Sequence, residues 1–241
     1  MSDPLFGKRA LVTGASKGIG FAIARAFAEN GANVVICARQ QTSLDNAVSE
    51  LRKTAKGKVS GYVADVSRSA DIARLFEFTD KELGGLDILV NNAGVGIFHS
   101  AAEMTIEEWD QVIGINLSGA FYCTREALSR FEQARGGRII NISSLAGKNP
   151  FAGGSAYNAS KFGLNGLSEA TMLDHRHDNV GVTYIMPGSV ATHFSGEAGQ
   201  RGADWKIAPE DIAEIVLGVI RLPKRTLISR IEVRPSRPQK D

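Results

Sequence analysis

Residues 8–29 read KRALVTGASKGIGFAIARAFAE, and this stretch decides the fold. It opens with a short apolar run, residues 8–13, which predicts a strand. Residues 14–20 break that run, and their glycines suit a tight turn. Apolar residues then recur at helical spacing, which predicts an amphipathic helix ending at Gly31. A strand, a glycine-rich turn and a helix in this order begin a βαβ unit.

The same alternation of strand and helix continues along the chain. Further strands are predicted at 33–38, 58–63, 86–90, 138–142, 180–186 and 226–233, and helices at 44–56, 69–83, 105–134, 156–174 and 209–222. Gly114 and Gly119 lie inside the 105–134 segment, so a break or bend is expected there. Alternating elements favour an α/β fold, with a parallel sheet and helices on both faces. Because no linker or repeat is visible, residues 1–241 are expected to form a single doubly wound domain, with a mobile tail at 235–241.

Composition narrows the classes of protein to which the chain can belong. With 241 residues, of which 43% are hydrophobic, it can bury a sizeable core. Its formal net charge of +2 is too small to imply a nucleic-acid partner. No stretch approaches the roughly 20 apolar residues of a membrane span, and no signal peptide precedes Lys8, so no membrane partner is expected. Cys37 and Cys123 lack CxxC spacing, which favours a reduced, cytoplasmic protein.

The first glycine-rich break is a candidate phosphate cradle. In doubly wound sheets, ligands bind beyond the carboxyl ends of the strands, so the break after each strand is a candidate site. Glycines at positions 14, 18 and 20 allow close backbone approach, and the N-terminus of the following helix favours an anion. The spacing G-x-x-x-G-x-G differs from the G-x-G-x-x-G of many dinucleotide-binding domains. A P-loop is excluded, because no Gly-Lys-Ser/Thr is present.

A second stretch, residues 141–163 (NISSLAGKNPFAGGSAYNASKFG), carries candidate catalytic groups. Tyr157 and Lys161 are four residues apart, so they lie one turn apart on one helix face. A nearby cation favours the phenolate and is expected to lower the pKa of the phenol from about 10. A tyrosine with a lowered pKa can exchange a proton near neutral pH. The hydroxyl of Ser144, across the intervening loop, could hold a substrate oxygen at the same point.

Taken together, these motifs resemble the short-chain dehydrogenase/reductase family. The resemblance spans roughly residues 7–222. It implies a Rossmann-like fold, a nicotinamide cofactor, and hydride transfer between a carbonyl and an alcohol. The motifs that carry it are TGASKGIG at 13–20, NNAG at 91–94, Asn116 in INLSG, Ser144, YNASK at 157–161 and PGSVAT at 187–192.

The resemblance implies a role for each candidate catalytic residue. Tyr157 matches the general acid/base. Lys161 matches the lysine that lowers the tyrosine pKa and hydrogen-bonds the nicotinamide ribose. Ser144, rather than Ser143, matches the serine that holds the substrate oxygen, and Asn116 matches the asparagine that supports a water relay to the lysine.

The resemblance also implies a set of cofactor contacts. It assigns the pyrophosphate and ribose to the first turn, the adenine to the end of the third strand, the adenosine ribose to the fourth break and the carboxamide to the segment after the sixth strand. In that order the residues are Gly14, Ser16, Ile19 and Gly20; Asp65 and Val66; Asn92; and Pro187, Val190 and Thr192.

The end of the second strand predicts which nicotinamide cofactor is used. Family members that prefer NAD commonly have an acidic residue here, which binds the adenosine ribose hydroxyls. This chain has Ala38 at that position and Arg39 next, a bidentate donor suited to phosphate. Lys17 in the first turn can reach the same side of the ribose. NADP(H) is therefore expected rather than NAD(H).

These observations predict an NADP(H)-dependent oxidoreductase that acts as a carbonyl reductase on a small-molecule carbonyl or alcohol. One alternative is a 3-oxoacyl-carrier-protein reductase, which needs a basic docking patch, and Arg135, Arg138 and Arg176 are candidates for it. Another is a regulatory protein that retains the nucleotide fold without catalysis. A metal site is not expected.

Two further expectations concern assembly and substrate access. The 105–134 helix has apolar residues beyond one core stripe, and the family commonly pairs this helix across a two-fold axis, so a homodimer or homotetramer is predicted. Residues 193–208 contain Phe194 and Trp205 among several glycines. They are predicted to form a mobile lid over the nicotinamide that becomes ordered when ligands bind.

Overall fold

The computed structural model describes residues 5–192 and 203–238, in which strands and helices alternate. The strands are β1 (Arg9–Thr13), β2 (Asn33–Ala38), β3 (Val59–Val63), β4 (Ile88–Asn91), β5 (Gly137–Ile142), β6 (Val180–Pro187) and β7 (Arg230–Val233). The helices are α1 (Gly18–Glu29), α2 (Gln41–Arg52), α3 (Ser69–Leu83), α4 (Ile106–Ile113), α5 (Gly119–Ala134), α6 (Ser155–His175) and α7 (Pro209–Arg221).

The strands form one parallel sheet in the order β3-β2-β1-β4-β5-β6-β7. Strands β2 and β3 are added on one side of β1, and strands β4 to β7 are then added in order on its other side. The strand order therefore reverses between β1 and β4, which is the position where doubly wound folds bind ligands. The predicted α/β fold with a parallel, doubly wound sheet is confirmed.

Each face of the sheet is covered by helices. Along β1, Ala10 and Val12 belong to one hydrophobic layer and Leu11 to the other, as the two-residue period of a strand requires. The first layer is completed by α1, α2 and α7, and the second by α3 and α5, with fully buried side chains such as Phe27 in the first and Phe76 and Phe131 in the second. Burying each phenylalanine contributes roughly 1.5–3 kcal/mol.

The 105–134 segment changes its helical hydrogen bonding between the two glycines, where the sequence predicts a break or bend. Between α4 and α5, residues Gly114–Ser118 form a π-helical turn. A Cβ at Gly119 would lie 2.9 Å from the carbonyl oxygen of Val66, so only glycine lets α5 approach the end of β3 this closely. The π turn displaces the helix register and buries the Asn116 side chain beside the sheet.

Some element boundaries differ from the prediction. The last strand pairs only over Arg230–Val233, because residues 226–229 approach β6 without entering its ladder. Helix α2 covers Gln41–Arg52 rather than 44–56. Residues 193–202 of the predicted lid and 239–241 of the predicted tail lie outside the described residues. Over residues 5–192 and 203–238, no helix combines the length and apolar character needed to cross a membrane.

A buried polar chain joins the centre of the sheet to two helices. Asn91 donates from Nδ2 to Oδ1 of Asn141 at 2.9 Å and to Oγ1 of Thr124, on α5, at 3.1 Å. Asn141 donates from its own Nδ2 to Oγ of Ser168, on α6, at 2.7 Å. All four residues are buried. Since buried polar groups are costly when unpaired, these hydrogen bonds fix α5 and α6 to β4 and β5.

We predict that Asn141→Ala and Ser168→Ala each lower the free energy of unfolding by about 1–3 kcal/mol, because each leaves a buried polar partner unsatisfied. The loss of unfolding free energy in the double variant should be smaller than the sum of the two single losses by at least about 0.5 kcal/mol, since both changes remove the same hydrogen bond. Urea unfolding measures all three. Thr42→Ala, at an exposed position on α2, should change stability by less than about 0.5 kcal/mol. If the losses of unfolding free energy in the two single variants add exactly in the double variant, Asn141 and Ser168 do not stabilise the fold through a shared hydrogen bond.

Candidate active site

A cavity of about 420 Å³ opens at the carboxyl ends of the strands, where the strand order reverses. Its walls come from the first turn, the ends of β2 to β6 and the start of α6. Most of the residues predicted to bind cofactor or act in catalysis line it: Gly14, Ser16, Lys17, Ile19, Arg39, Val66, Asn92, Ser144, Tyr157, Lys161, Pro187, Val190 and Thr192. Separate breaks along the sequence therefore meet at one site.

Three predicted site residues, Gly20, Asp65 and Asn116, lie behind the wall of this cavity. A Cβ at Gly20 would lie 2.3 Å from Nδ2 of Asn92. The carboxylate of Asp65 accepts hydrogen bonds from the backbone N–H and the hydroxyl of Ser67, at 3.0 and 2.7 Å. Asn116 accepts from the N–H of Val95 at 2.8 Å and donates to its carbonyl at 2.9 Å. Of the three, Gly20 and Asn116 contact residues that do line the cavity, Asn92 and Val95.

The first turn is locked against the end of β4. The Nδ2 group of Asn92 donates to the carbonyl oxygens of Thr13 at 2.9 Å and Gly14 at 3.0 Å. Gly14 has a φ of +63°, and a Cβ there would lie 2.6 Å from Cα of Ala93. This turn delivers the chain to the N-terminus of α1, whose first turn carries no acidic residue. The partial positive charge of that helix end favours an anion such as a pyrophosphate.

Ser144 and Tyr157 are brought together across the loop between β5 and α6. Their hydroxyl groups are hydrogen-bonded to each other, and Ser144 Oγ also accepts from the N–H of Ala146 at 3.1 Å. The neighbouring Ser143 donates instead to Oδ1 of Asn165, at 2.5 Å. The structure therefore turns Ser144, rather than Ser143, toward the phenol.

Lys161 lies one helical turn after Tyr157 and is almost fully buried, with 4% of its surface exposed. Its Nζ donates to the carbonyl oxygen of Ile142 at 3.0 Å and lies 5.7 Å from the centroid of the Tyr157 ring. Ser160 supports the same turn: it accepts from Asn116 at 3.1 Å and donates to the carbonyl of Tyr157 at 2.8 Å. The π turn is thereby linked to the turn of α6 that carries Tyr157 and Lys161.

Burial acts on both titratable groups. It lowers the pKa of Lys161 to about 8, because an ammonium loses its hydration there. Burial also raises the pKa of Tyr157, while the hydrogen bond with Ser144 acts in the opposite direction. The sequence predicts a lowered pKa for this phenol, and the structure differs because the phenol is buried. Spacing along a helix shows that two groups are neighbours but not how deeply they are buried.

Positive charge surrounds the end of the cavity beside β2. Arg39 and Lys17 are both exposed and both line it. Burial would raise the pKa of Asp65, but hydrogen bonds from Ser67 and the nearby charges of Arg39 and Arg68 hold it below its ordinary value. No aspartate or glutamate occurs among the described residues that line the cavity. The site therefore favours an anionic ligand.

The lining residues that the sequence analysis did not predict include Phe98, Phe151 and Lys206. Phe98 and Phe151 lie in the loops after β4 and β5, so their position after a strand was an available signal. Lys206 lies in the segment 193–208 that the sequence predicts over the nicotinamide, but no feature of the sequence distinguished this lysine within it. The backbone of Ile207 pairs with residues 189 and 191, which brings Lys206 to the cavity.

A family model described as "short chain dehydrogenase" matches residues 8–202. The chain belongs to the short-chain dehydrogenase family. It is 36% identical over 234 residues to a sepiapterin reductase of Chlorobaculum tepidum, with 94% of this chain and 95% of that protein covered. It is 39% identical over 194 residues to human dehydrogenase/reductase SDR family member 4, with 80% of this chain and 69% of that protein covered.

A solved structure agrees with these relatives. The crystal structure of a metagenomic short-chain oxidoreductase in complex with NADP superposes with a TM-score of 0.86 at 38% sequence identity. The match covers 98% of this chain and 100% of that one. The family and the Rossmann-like architecture implied by the sequence motifs are thus confirmed, and the chain is an oxidoreductase of this family.

We predict that the wild type becomes more stable relative to Lys161→Met as pH rises from 8 to 10.5. The pKa of Lys161 is lowered from 10.5 to about 8, so in this interval the unfolded chain binds the proton more tightly. Wild-type stability therefore gains up to about 3 kcal/mol relative to the variant. Thermal unfolding across this pH range measures the difference. Lys224→Met, at an exposed lysine, should give a flat difference, and a flat difference for Lys161→Met would contradict the assignment.

Proposed function

We propose that this chain is an NADP(H)-dependent carbonyl reductase that converts a small-molecule ketone or aldehyde to an alcohol. The observation that carries the proposal is the hydrogen bond between Ser144 and Tyr157, above the buried ammonium of Lys161, in the cavity at the strand-order reversal. A proton donor, a second hydroxyl and a cation converge there on one point. This is the set of groups that reduction of a carbonyl requires.

The residues of the cavity fit a nicotinamide dinucleotide. The Gly14 turn and the N-terminus of α1 offer a cradle for the pyrophosphate, and Ser16 and Ile19 line the same wall. From the end of β6, Pro187, Val190 and Thr192 line the same cavity as Tyr157 and would be available to the carboxamide. When bound, the cofactor supplies the hydride that reaches the carbonyl carbon.

The side chains of this chain supply orientation and the proton. Ser144 and Tyr157 donate hydrogen bonds to the carbonyl oxygen of the substrate, which polarises its carbon. Tyr157 gives its proton to that oxygen as negative charge develops there, and Lys161 stabilises the phenolate. Because burial raises the pKa of Tyr157, the phenol is protonated at neutral pH. That state suits reduction of a carbonyl, in which the tyrosine acts as an acid. Asn116 supports this turn through Ser160.

Tyr157→Phe should lower turnover with NADPH by about 100-fold or more, because it removes the proton donor and leaves the packing almost unchanged. NADPH binding, followed by fluorescence titration, should stay within a few-fold of the wild type. Steady-state kinetics over a panel of ketones and aldehydes measures turnover. Tyr184→Phe is a matched control, since that hydroxyl bonds Glu169 and does not line the cavity. Near-normal turnover in Tyr157→Phe would rule out the assigned role.

A preference for NADP(H) is supported by charge at the end of β2. Arg39 and Lys17 lie where they can reach a 2′-phosphate on the adenosine ribose, and Ala38 leaves that place without a carboxylate. Lining residues with negative charge are absent from the described part of the wall. The structural relative that was solved with NADP supports the same preference.

The double change Ala38→Asp with Arg39→Leu should move the ratio of kcat/KM for NADPH over NADH toward NADH by at least about 10-fold. It removes a bidentate donor and adds a charge that repels the 2′-phosphate. Arg68→Leu is a control, because Arg68 is an arginine near Asp65 that does not line the cavity. Equal or better use of NADH by the wild-type enzyme would contradict the proposed preference.

The carrier-protein alternative receives no support from the predicted docking patch. Arg135 and Arg138 lie between α5 and the start of β5, and Arg176 follows α6, before β6 begins. These three positions are at the amino ends of the strands, whereas the cavity is at their carboxyl ends. Arg138 is also half-buried, and burial lowers its pKa. A carrier docked on this patch would deliver its substrate to the wrong edge of the sheet.

Several expectations from the sequence stay predictions. They are the single-domain organisation of residues 1–241, the homodimer or homotetramer, and the cytoplasmic location. The choice of an active enzyme over a non-catalytic regulatory protein is also a prediction. Phe121 on α5 is 46% exposed, and Leu173 on α6 is 56% exposed, which is consistent with a pairing surface on these helices. Light scattering at micromolar concentration measures the assembly state.

A further inference from the structure

Three aromatic rings converge beside the catalytic hydroxyl. The centroid of Phe98 lies 5.5 Å from that of Tyr157 and 5.6 Å from that of Phe151, and both pairs meet edge to face. Phe151 and Tyr157 are 6.4 Å apart. All three line the cavity, yet 42% of Phe98 and 45% of Phe151 remain exposed. Single exposed phenylalanines are ordinary, but here two such rings and the reacting phenol surround one point.

The helical turn that carries Tyr157 also holds the two phenylalanines in place. Ser155 donates from Oγ to the carbonyl oxygen of His99, next to Phe98, at 3.0 Å. Asn158 donates from Nδ2 to the carbonyl oxygen of Phe151 at 2.8 Å. These two donors flank Tyr157 on α6, so the loops after β4 and β5 are both attached to the catalytic turn. The aromatic walls are therefore positioned before any substrate arrives, which lowers the entropy cost of binding.

Charge decides which kind of ligand these rings would hold. Aromatic rings bind either planar apolar groups or cations such as quaternary ammonium. Lys161 and Lys206 both line the cavity, and the described lining residues include no carboxylate. A cationic substrate would be repelled without any compensating partner. A neutral, planar group can pack against the exposed faces and edges of the two phenylalanines at no such cost.

We infer that the enzyme prefers carbonyl compounds that carry an aromatic ring on the carbonyl carbon, and that Phe98 and Phe151 determine this preference. The inference rests on the proposed function, because it places the carbonyl oxygen at Tyr157 and Ser144. With the oxygen there, the substituent on the carbonyl carbon lies against the two phenylalanine rings. Aryl ketones and aryl aldehydes are the expected substrate class.

Acetophenone and cyclohexyl methyl ketone test the inference, because they have the same carbon skeleton and differ in planarity. Intrinsic reactivity cancels when the acetophenone:cyclohexyl ratio of kcat/KM with NADPH is compared between wild type and variants. Phe98→Leu and Phe151→Leu should each lower this ratio by about 3- to 10-fold, the usual contribution of an aromatic contact beyond its buried area. Phe98→Tyr and Phe151→Tyr keep a ring and should preserve the ratio.

Phe6→Leu is the matched control. Phe6 is 68% exposed, and it packs beside Gly31 at the amino-terminal edge of the sheet, away from the cavity. It should leave the ratio unchanged. Thermal unfolding checks that each variant is folded. If a leucine variant shows no cooperative unfolding transition, methionine is used in place of leucine at that position. An unchanged ratio in folded Phe98→Leu and Phe151→Leu would overturn the inference.

A binding measurement separates this inference from the proposed function. The alcohols 1-phenylethanol and 1-cyclohexylethanol form dead-end complexes with the enzyme and NADPH, in which no reaction can occur. Calorimetry should show tighter binding of 1-phenylethanol, and the leucine variants should lose that difference by the same 3- to 10-fold. If the wild type reduces no carbonyl compound but binds 1-phenylethanol preferentially, the proposed function fails and the aromatic preference stands. Reduction of both ketones with no effect of either leucine change rejects only the preference.

Discussion

The active site depends on one contact, the lock between the first turn and the end of β4. The strand order reverses there, so the segments that follow β1 and β4 lead to helices on opposite faces of the sheet, α1 and α5, and leave a crevice between their loops. Asn92 closes the base of that crevice with hydrogen bonds to the carbonyls of Thr13 and Gly14. Gly14 and Gly20 are required for the same reason, because a Cβ at either would collide with Ala93 or Asn92. The N-terminus of α1 and the first wall of the cavity are positioned by this contact.

Local patterns in the sequence predicted most of the elements, because hydrophobic period and glycine placement act over a few residues. They predicted the break between α4 and α5 at Gly114 and Gly119, which the structure shows as a π turn. Boundaries that depend on pairing were less accurate. Strand β7 is shorter than its apolar run, since only Arg230–Val233 finds a partner on β6. The buried Asn91–Asn141 pair was also missed, because it depends on the register between β4 and β5.

The candidate site shows the same division between local and long-range information. Tyr157 and Lys161 could be paired from their spacing, and Ser144 from its match to a family motif. Burial could not be predicted, and it changed the expected pKa of the phenol from lowered to raised. Phe98 and Phe151 escaped attention because each lies alone in an irregular loop. They meet only because Ser155 and Asn158 attach both loops to one turn of α6.

The burial of Lys161 has a consequence for catalysis that its spacing alone does not suggest. Its ammonium has given up water for a hydrogen bond to the Ile142 carbonyl, and the loss of hydration lowers its pKa to about 8. Before reaction, the neighbouring phenol is neutral and offers no compensating charge. In the proposed reaction, a phenolate forms beside the ammonium when Tyr157 gives up its proton, and each buried charge then stabilises the other. The favourable interaction is absent in the ground state and develops as the proton leaves, which is the condition for lowering the barrier rather than only tightening binding. A more exposed lysine would be easier to accommodate in the fold, but water would weaken its attraction for the phenolate.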